Sequence, residues 1–375
     1  RRAAASTGSL STMRLDPSDP TSRSFRDAIT AELAAFLSAK SAALADVSPA
    51  LTELTEVAAD FASGGKRLRP AFAYWGYVGA AGDHDVPAAI WPVISAFELL
   101  HAGVLIHDDV LDQADSRRGR PTVHRRFEAW HRSSGGHGDA AEFGRAMAVL
   151  LGDQLLVWSD ELACGAGLDP ESWRRASPYW HRVRTEVNSG QVLDLWAQYQ
   201  VGSDDTLGAE QIAAKVLEEK TSRYTVQRPV QFGAAAGGAG DDALAALGRF
   251  GLVLGRAFQL RDDLLGVFAD QEQSGKPAAG DLIEGKRTVL LARALDGLNQ
   301  AARRRLESLI GTPLTDDQIA EARALISSSG AVDQVESLID ADYAAAAAAL
   351  SECELTEPGY LALTELARQC VERTF

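Results

Sequence analysis

The chain has 375 residues, 46% of them hydrophobic, and a formal net charge of −15. That length supports one large domain or two ordinary ones with a full core. The acidic balance excludes a general nucleic-acid binder, which needs a basic face, but leaves room for an anionic substrate held by a few focused Lys and Arg side chains. Three cysteines, Cys164, Cys353 and Cys370, are scattered without metal-ligand spacing and read as the reduced thiols of a cytosolic protein.

Taken in order, residues 1–19 read as a flexible tail with no apolar signal core, and residues 20–375 as a single all-α domain. Phe25, Ile29, Leu33, Phe36 and Leu37 recur at helical spacing over 24–44. A second helix over 50–62 carries Leu51, Leu54, Val57 and Phe61 on one face and stops at Ser63-Gly64-Gly65. The basic turn Lys66-Arg67-Leu68-Arg69-Pro70 leads into another apolar helix, and a loop follows over 82–85. The longest apolar stretch, 88–106, contains Pro92, Glu98 and His101, so it reads as a buried core helix rather than a membrane span. Residues 129–143 are polar and glycine-rich and read as an exposed loop; His131 and His137 there lack a third ligand, which argues against a metal. Helical periodicity resumes over 143–164, 170–199 and 207–231, with a Gly/Ala loop over 233–242 and another helix over 248–268. Residues 270–286 are a candidate lid, and the alanine run 344–349 favours helix. Trp91, Trp158, Trp180 and Trp196 read as core. No hairpin pattern, repeat or heptad array interrupts this, so the class is all-α.

The apolar run 88–106 continues into His107-Asp108-Asp109-Val110-Leu111-Asp112, then Arg117-Arg118. On a helix Asp108 and Asp112 share a face one turn apart. Carboxylates among Val104, Leu105, Ile106, Val110 and Leu111 are costly to bury without a cation. A hard divalent ion with oxygen ligands, Mg2+ above all, meets that need. Arginines beside them suit a metal-bridged diphosphate. A solvated helix end is the plain alternative for one such cluster, but a second pair, Asp262-Asp263, also interrupts an apolar run.

The ordered set resembles the trans-isoprenyl diphosphate synthases, or polyprenyl synthetases. It comprises Gly65-Lys66-Arg67-Leu68-Arg69-Pro70, the first aspartate motif with Arg117-Arg118-Gly119, Gly190-Gln191 with Asp194, Lys220-Thr221, and Phe258-Gln259-Leu260-Arg261-Asp262-Asp263 with Gly275-Lys276 and Lys286-Arg287. The insertion after Ala129 and the wording of the second motif are similar to the actinobacterial branch, which includes geranylgeranyl diphosphate synthases. The resemblance implies an isoprenoid synthase fold, a helical bundle around a deep cavity, and a homodimer. It implies head-to-tail condensation of isopentenyl diphosphate with dimethylallyl, geranyl or farnesyl diphosphate. Three Mg2+ ions would stabilise the departing pyrophosphate.

By the same resemblance Asp108 and Asp112 ligate two ions and Asp262 the third, while Asp109 and Asp263 orient ligands and waters. Arg117, Lys220, Gln259 and Lys276 hold the allylic diphosphate. Lys66, Arg69, His101 and Arg118 hold isopentenyl diphosphate, with Glu98 orienting the His101 ring. Thr221 and Gln191 offer lone pairs near the developing cation; Asp194 acts there as a charge or as a structural group. The second motif departs from the family pattern because its last position is Gly266, and Asp270 is a possible substitute. Product length is set along the helix before Asp108. Gly103 and Val104 leave the floor open; Phe97, about three turns up and so ~16 Å deep, and Leu100 form the deeper stop. That depth favours geranylgeranyl diphosphate over farnesyl or longer products. A class I terpene cyclase and a catalytically silent partner subunit are the alternatives. Asn188-Ser189-Gly190-Gln191 does not fit a cyclase's second metal motif, and the retained aspartates argue against a silent subunit.

Overall fold

A computed structural model describes residues 15–82, 86–117, 119–199, 208–269 and 279–372. Most of the predicted tail lies outside these residues, as do Arg118, Asp270, Gly275 and Lys276. The helix α1 (Arg23–Val47) starts where the Ser22 hydroxyl accepts from the Phe25 N–H, and it buries Phe25, Ala28, Ile29, Leu33 and Leu37 at helical spacing. A short 3-10 turn (Pro49–Leu51) precedes α2 (Thr52–Ala62). Then come α3 (Leu68–Ala80) and α4 (Ile90–Leu111), the latter buried along most of its length. Two residues on each side, Ser116–Arg117 and Arg120–Pro121, pair antiparallel after α4. Next are α5 (Val123–Ser133), α6 (Ala140–Gly165) and α7 (Pro170–Tyr199).

The loop expected over 129–143 is shorter than its composition suggests, because α5 runs on to Ser133 and Asp139 caps α6 by accepting from the Ala141 and Glu142 N–H groups. His131 is a buried helical residue whose Nε2 lies 3.0 Å from the His137 carbonyl oxygen and whose ring meets Phe143. Trp91, Trp158 and Trp180 are core, whereas Trp196 is 52% exposed on α7, a correction to its expected burial.

The helix α8 (Ala209–Leu217) passes without a break into a π-helical stretch, Glu218–Gln227, and then α9 (Arg228–Ala236). The Gly/Ala segment after Gly233 is therefore still helical to Ala236. The rest comprises α10 (Asp241–Phe268), α11 (Gly280–Ile283), α12 (Val289–Gly297), α13 (Gln300–Glu307), α14 (Asp316–Ser328), α15 (Ala331–Ser351) and α16 (Glu357–Val371).

Contacts group the chain into two compact units. One comprises Arg1–Pro178, Pro229–Gly240 and Leu355–Leu366; the other comprises Tyr179–Arg228, Asp241–Glu354 and Ala367–Phe375. The core of the first includes Phe25, Tyr74 and Trp91 in mutual ring contact, with Phe97 edge-on to Phe232 at 5.4 Å. The core of the second gathers Leu260, Leu264, Leu290, Leu291, Ile326 and Ile339, among others. By length and composition α1, α4 and α10 could each cross a bilayer, but 72% of the apolar window of α4 and 56% of that of α10 are buried inside the protein.

Candidate active site

The first acidic cluster sits at the C-terminal end of α4. Asp108 and Asp109 occupy its last full turn, 8% and 1% exposed, and Asp112 is the C-cap residue, its N–H donating to the Asp108 carbonyl oxygen at 2.8 Å. The chain turns there because Gln113 adopts a left-handed backbone, φ 53°. The short strand pair then returns Arg117 to the helix end. Its Nε donates to Asp109 Oδ1 at 2.7 Å, and its Nη2 donates to Asp108 Oδ2 at 3.4 Å. Asp108 and Asp109 thus place two buried carboxylates at the negative end of a helix dipole, which favours a cation there.

The donors at Asp108, Asp109 and Asp112 are all hard oxygens, a set that fits Mg2+ rather than a thiolate- or imidazole-loving metal. Among the described residues no three acidic, His or Cys side chains form a group that could hold an ion on its own.

The basic turn belongs to the same unit. Lys66 is exposed and Arg69 half-buried, while Arg67 between them is 3% exposed. Arg67 has a left-handed backbone, φ 57°. Its guanidinium donates to Glu98 Oε2 at 2.6 Å, to the Ala62 carbonyl oxygen at 2.7 Å and to the Thr30 hydroxyl at 3.3 Å. Glu98, expected to orient His101, is thus the partner of Arg67; His101 itself is half-buried one turn further along α4. The turn is fixed by its middle residue, which the motif's functional residues do not include.

Gly103 does not face open space. A Cβ there would lie 2.9 Å from the Gly152 carbonyl oxygen and 3.1 Å from Leu156 Cδ2, so α4 and α6 meet backbone to backbone at this point. The expectation of an open floor beside Gly103 is corrected accordingly; Val104 is half-buried, and Phe97 and Leu100 are in the core.

In the second unit Lys220 and Thr221 lie within the π-helical stretch. A Cβ at Gly190 would overlap the backbone at Lys220, so Gly190 of the Gly-Gln motif lets α7 approach that backbone closely. One turn on, Asp194 accepts from Lys220 Nζ at 2.6 Å and is 7% exposed. This assigns Asp194 a definite job in this structure: it fixes the Lys220 ammonium. Gln191 is half-buried beside Gly190.

The second acidic pair is on α10. Asp262 is half-buried and Asp263 4% exposed, with Gln259 Nε2 donating to Asp263 Oδ1 at 2.7 Å. Burial, and secondarily the charge of Asp281, push Asp263 up to about 8, against the lowering effect of the Gln259 hydrogen bond. Asp281, on α11, was not singled out by the sequence reading. It is 6% exposed, its carbonyl oxygen accepts from the Lys286 N–H at 3.0 Å, and Lys286 Nζ lies 3.6 Å from its Oδ1. Nothing in the polar, glycine-rich sequence around it signalled that burial.

Residues 51–326 match the polyprenyl synthetase family. The geranylgeranyl diphosphate synthase of Mycobacterium tuberculosis is 33% identical over 314 residues, 82% of this chain and 81% of that protein. The geranylfarnesyl diphosphate synthase of Aeropyrum pernix is 31% identical over 280 residues, covering 73% and 79%. Among solved structures, a geranylgeranyl pyrophosphate synthase from Corynebacterium glutamicum, in complex with isoprenyl diphosphate and magnesium, superposes with a TM-score of 0.89. It is 34% identical and covers 96% of this chain and 100% of its own. The helical fold and the family match define a prenyl-transferring class. The chain belongs to the polyprenyl synthetase family.

Proposed function

We propose that the protein is a magnesium-dependent prenyltransferase. It joins isopentenyl diphosphate head-to-tail to dimethylallyl, geranyl or farnesyl diphosphate, with geranylgeranyl diphosphate as the main product. The observation that carries this reading is the carboxylate pair of Asp108 and Asp109 at the end of α4 with Arg117 folded onto it, a pairing suited to a metal-bridged diphosphate. Relatives named for geranylgeranyl diphosphate, from Mycobacterium tuberculosis and Corynebacterium glutamicum among others, support that product.

Asp108, Asp112 and Asp262 are the residues we assign to Mg2+, with Asp109 and Asp263 orienting them, and three ions as the expected number. When bound, the metal neutralises charge growing on the leaving pyrophosphate. Arg117, Lys220, Gln259 and Lys276 bind and orient the allylic diphosphate; Lys66, Arg69, His101 and Arg118 bind isopentenyl diphosphate. Thr221 and Gln191 present oxygen lone pairs to the allylic cation, and Asp194 keeps Lys220 aimed. The carbon–oxygen bond of the allylic substrate breaks and releases pyrophosphate, the double bond of isopentenyl diphosphate forms the new carbon–carbon bond, and the resulting cation passes a proton to the departing pyrophosphate. No side-chain nucleophile is required, and buried apolar side chains such as Phe97 and Leu100 exclude water from the cation.

Residues 20–375 act as one catalytic domain in this reading, in a soluble, cytoplasmic homodimer. Support for the dimer comes from α6, whose Val149, Leu150 and Val157 are 41%, 60% and 61% exposed on one helix face. Leu150→Glu is expected to yield monomers in sedimentation velocity, and an unchanged sedimentation coefficient would move the interface elsewhere.

The defining experiment incubates the protein with isopentenyl diphosphate and each allylic diphosphate, with and without Mg2+. Magnesium-dependent linear products of geranylgeranyl length are expected, as for the relatives named for that product. Cyclic hydrocarbons, or folded protein that elongates no primer, would overturn the proposal in favour of a cyclase or a silent subunit.

A further inference from the structure

In the first unit the two basic segments assigned to the substrates each have an anchor of their own. Arg67 holds the Lys66–Arg69 turn through Glu98 and the Ala62 carbonyl oxygen. Asp109 and Asp108 hold Arg117. The hairpin that carries Arg117 is closed at its neck, where the Thr122 hydroxyl donates to the Ala114 carbonyl oxygen at 2.8 Å and the Thr122 N–H to that of Asp115 at 3.1 Å. A further side chain ties the two segments to each other. Asp60, in the last turn of α2, accepts from Arg120 Nη1 on its Oδ1 at 3.1 Å and from Arg120 Nη2 on its Oδ2 at 2.8 Å. Arg120 is the strand partner of Arg117. Arg126, on α5 just after the hairpin, donates to the same carboxylate. On the other side, the Asp60 carbonyl oxygen accepts from the Ser63 hydroxyl at 2.7 Å, at the start of the turn that leads to Lys66.

A carboxylate in the last turn of a helix lies at the negative end of the dipole, where it is unfavourable. The Asp60 and Arg120 side chains are 34% and 63% exposed, and ion pairs that open to water contribute little to folding. Stability therefore does not account for this clasp. The two-point fit of a guanidinium to a carboxylate fixes orientation instead.

We infer that Asp60 is a positioning residue: through Arg120 and Arg126 it sets the spacing between the Lys66 turn and the Arg117 hairpin, and so between isopentenyl diphosphate and the allylic diphosphate. The inference rests on the prenyltransferase reading, which assigns one segment to each substrate. Each segment keeps its own anchor when the clasp is lost, so each substrate still binds. What is disturbed is the approach of the two reacting carbons, and misplacing reactants by about 1 Å can cost on the order of a hundredfold in rate.

The test compares Asp60→Ala, Asp60→Glu and the double variant Asp60→Ala/Arg120→Gln with the unaltered protein. Calorimetry reads the Kd of isopentenyl diphosphate alone, and of inorganic pyrophosphate with Mg2+ as the probe for the allylic diphosphate. The condensation rate is read in a single turnover with farnesyl diphosphate, and stability by urea unfolding. Asp60→Ala is expected to slow the single turnover about tenfold or more, with both Kd values within about twofold of the original. Its urea midpoint is expected to be no lower, since the unfavourable end-of-helix charge is gone. Asp60→Glu, which keeps the charge and both oxygens, is expected to regain most of the rate. The double variant is expected to fall no further than Asp60→Ala, because the two residues act as one contact. An unchanged single-turnover rate in Asp60→Ala overturns the inference. So does a weakened Kd or a lower urea midpoint that accounts for the lost rate, or a double variant slower than Asp60→Ala, which would put Arg120 on the substrate itself. If the unaltered protein forms no product from farnesyl diphosphate or any other allylic diphosphate, the prenyltransferase reading falls and this inference with it. Product formation by the unaltered protein at a rate that Asp60→Ala matches sinks the inference alone.

Discussion

Arg67 sits between two residues assigned to a diphosphate and is itself turned inward. Its guanidinium meets one carboxylate, one carbonyl oxygen and one hydroxyl, so its donors are used inside the protein. Removing one partner of a buried pair leaves the other charge uncompensated, at a cost of about 3–5 kcal/mol. Arg67→Ala is therefore expected to lower the unfolding free energy by that amount in urea titration and to raise KM for isopentenyl diphosphate, because the turn holding Lys66 and Arg69 loosens. Arg67→Met with Glu98→Leu should regain much of the stability, since both charges go together. A single variant as stable as the original would mean that the pair is not closed in solution. Glu98 stood out in the sequence as a carboxylate in an apolar run. What could not be read was its partner: helical spacing points to His101, three residues away, whereas Arg67 reaches Glu98 only through tertiary folding.

At the level of elements, the helices themselves were legible, because their apolar spacing and caps are local. Their contacts were not. The residue before each aspartate motif can be counted from the sequence, but which neighbour it faces depends on packing. Gly103 illustrates this: its position five residues before Asp108 suggested an open floor, and in the structure it is where α4 rests on the Gly152 backbone of α6. Gly103→Phe is thus expected to wedge the two helices apart, with an overpacking cost of about 1–3 kcal/mol or more, seen as a lower urea midpoint. If the variant keeps its stability and makes shorter products, the open-floor account is restored. The π-helical stretch around Lys220 was equally hidden. Nothing in Glu218-Glu219-Lys220-Thr221 announces a widened helix, and the stretch abuts Gly190, thirty residues earlier in the chain.

On the scale of the whole molecule, charge decides in what order ligands can bind. The chain carries a formal charge of −15, and each of its two acidic pairs, Asp108-Asp109 and Asp262-Asp263, adds negative potential locally within its own unit; under the proposed function these are the places assigned to magnesium and diphosphate. Arg117 is already engaged by Asp108 and Asp109, and Lys220 by Asp194, so these cations are partly neutralised before any anion arrives. Under the proposed function a diphosphate entering alone would meet net repulsion, and one entering with Mg2+ would exchange that Coulombic cost for attraction to the same carboxylates. A ligand that binds only the folded protein stabilises it by about 2.7 kcal/mol at a hundred times its Kd. Inorganic pyrophosphate with Mg2+ is therefore expected to raise the unfolding free energy by about that much, and pyrophosphate with EDTA by close to nothing. The contrast should persist in Asp262→Asn only in weakened form, since the first cluster is intact. Equal stabilisation with and without the metal would show that Lys and Arg alone hold the anion, and would remove the carboxylates from the binding step.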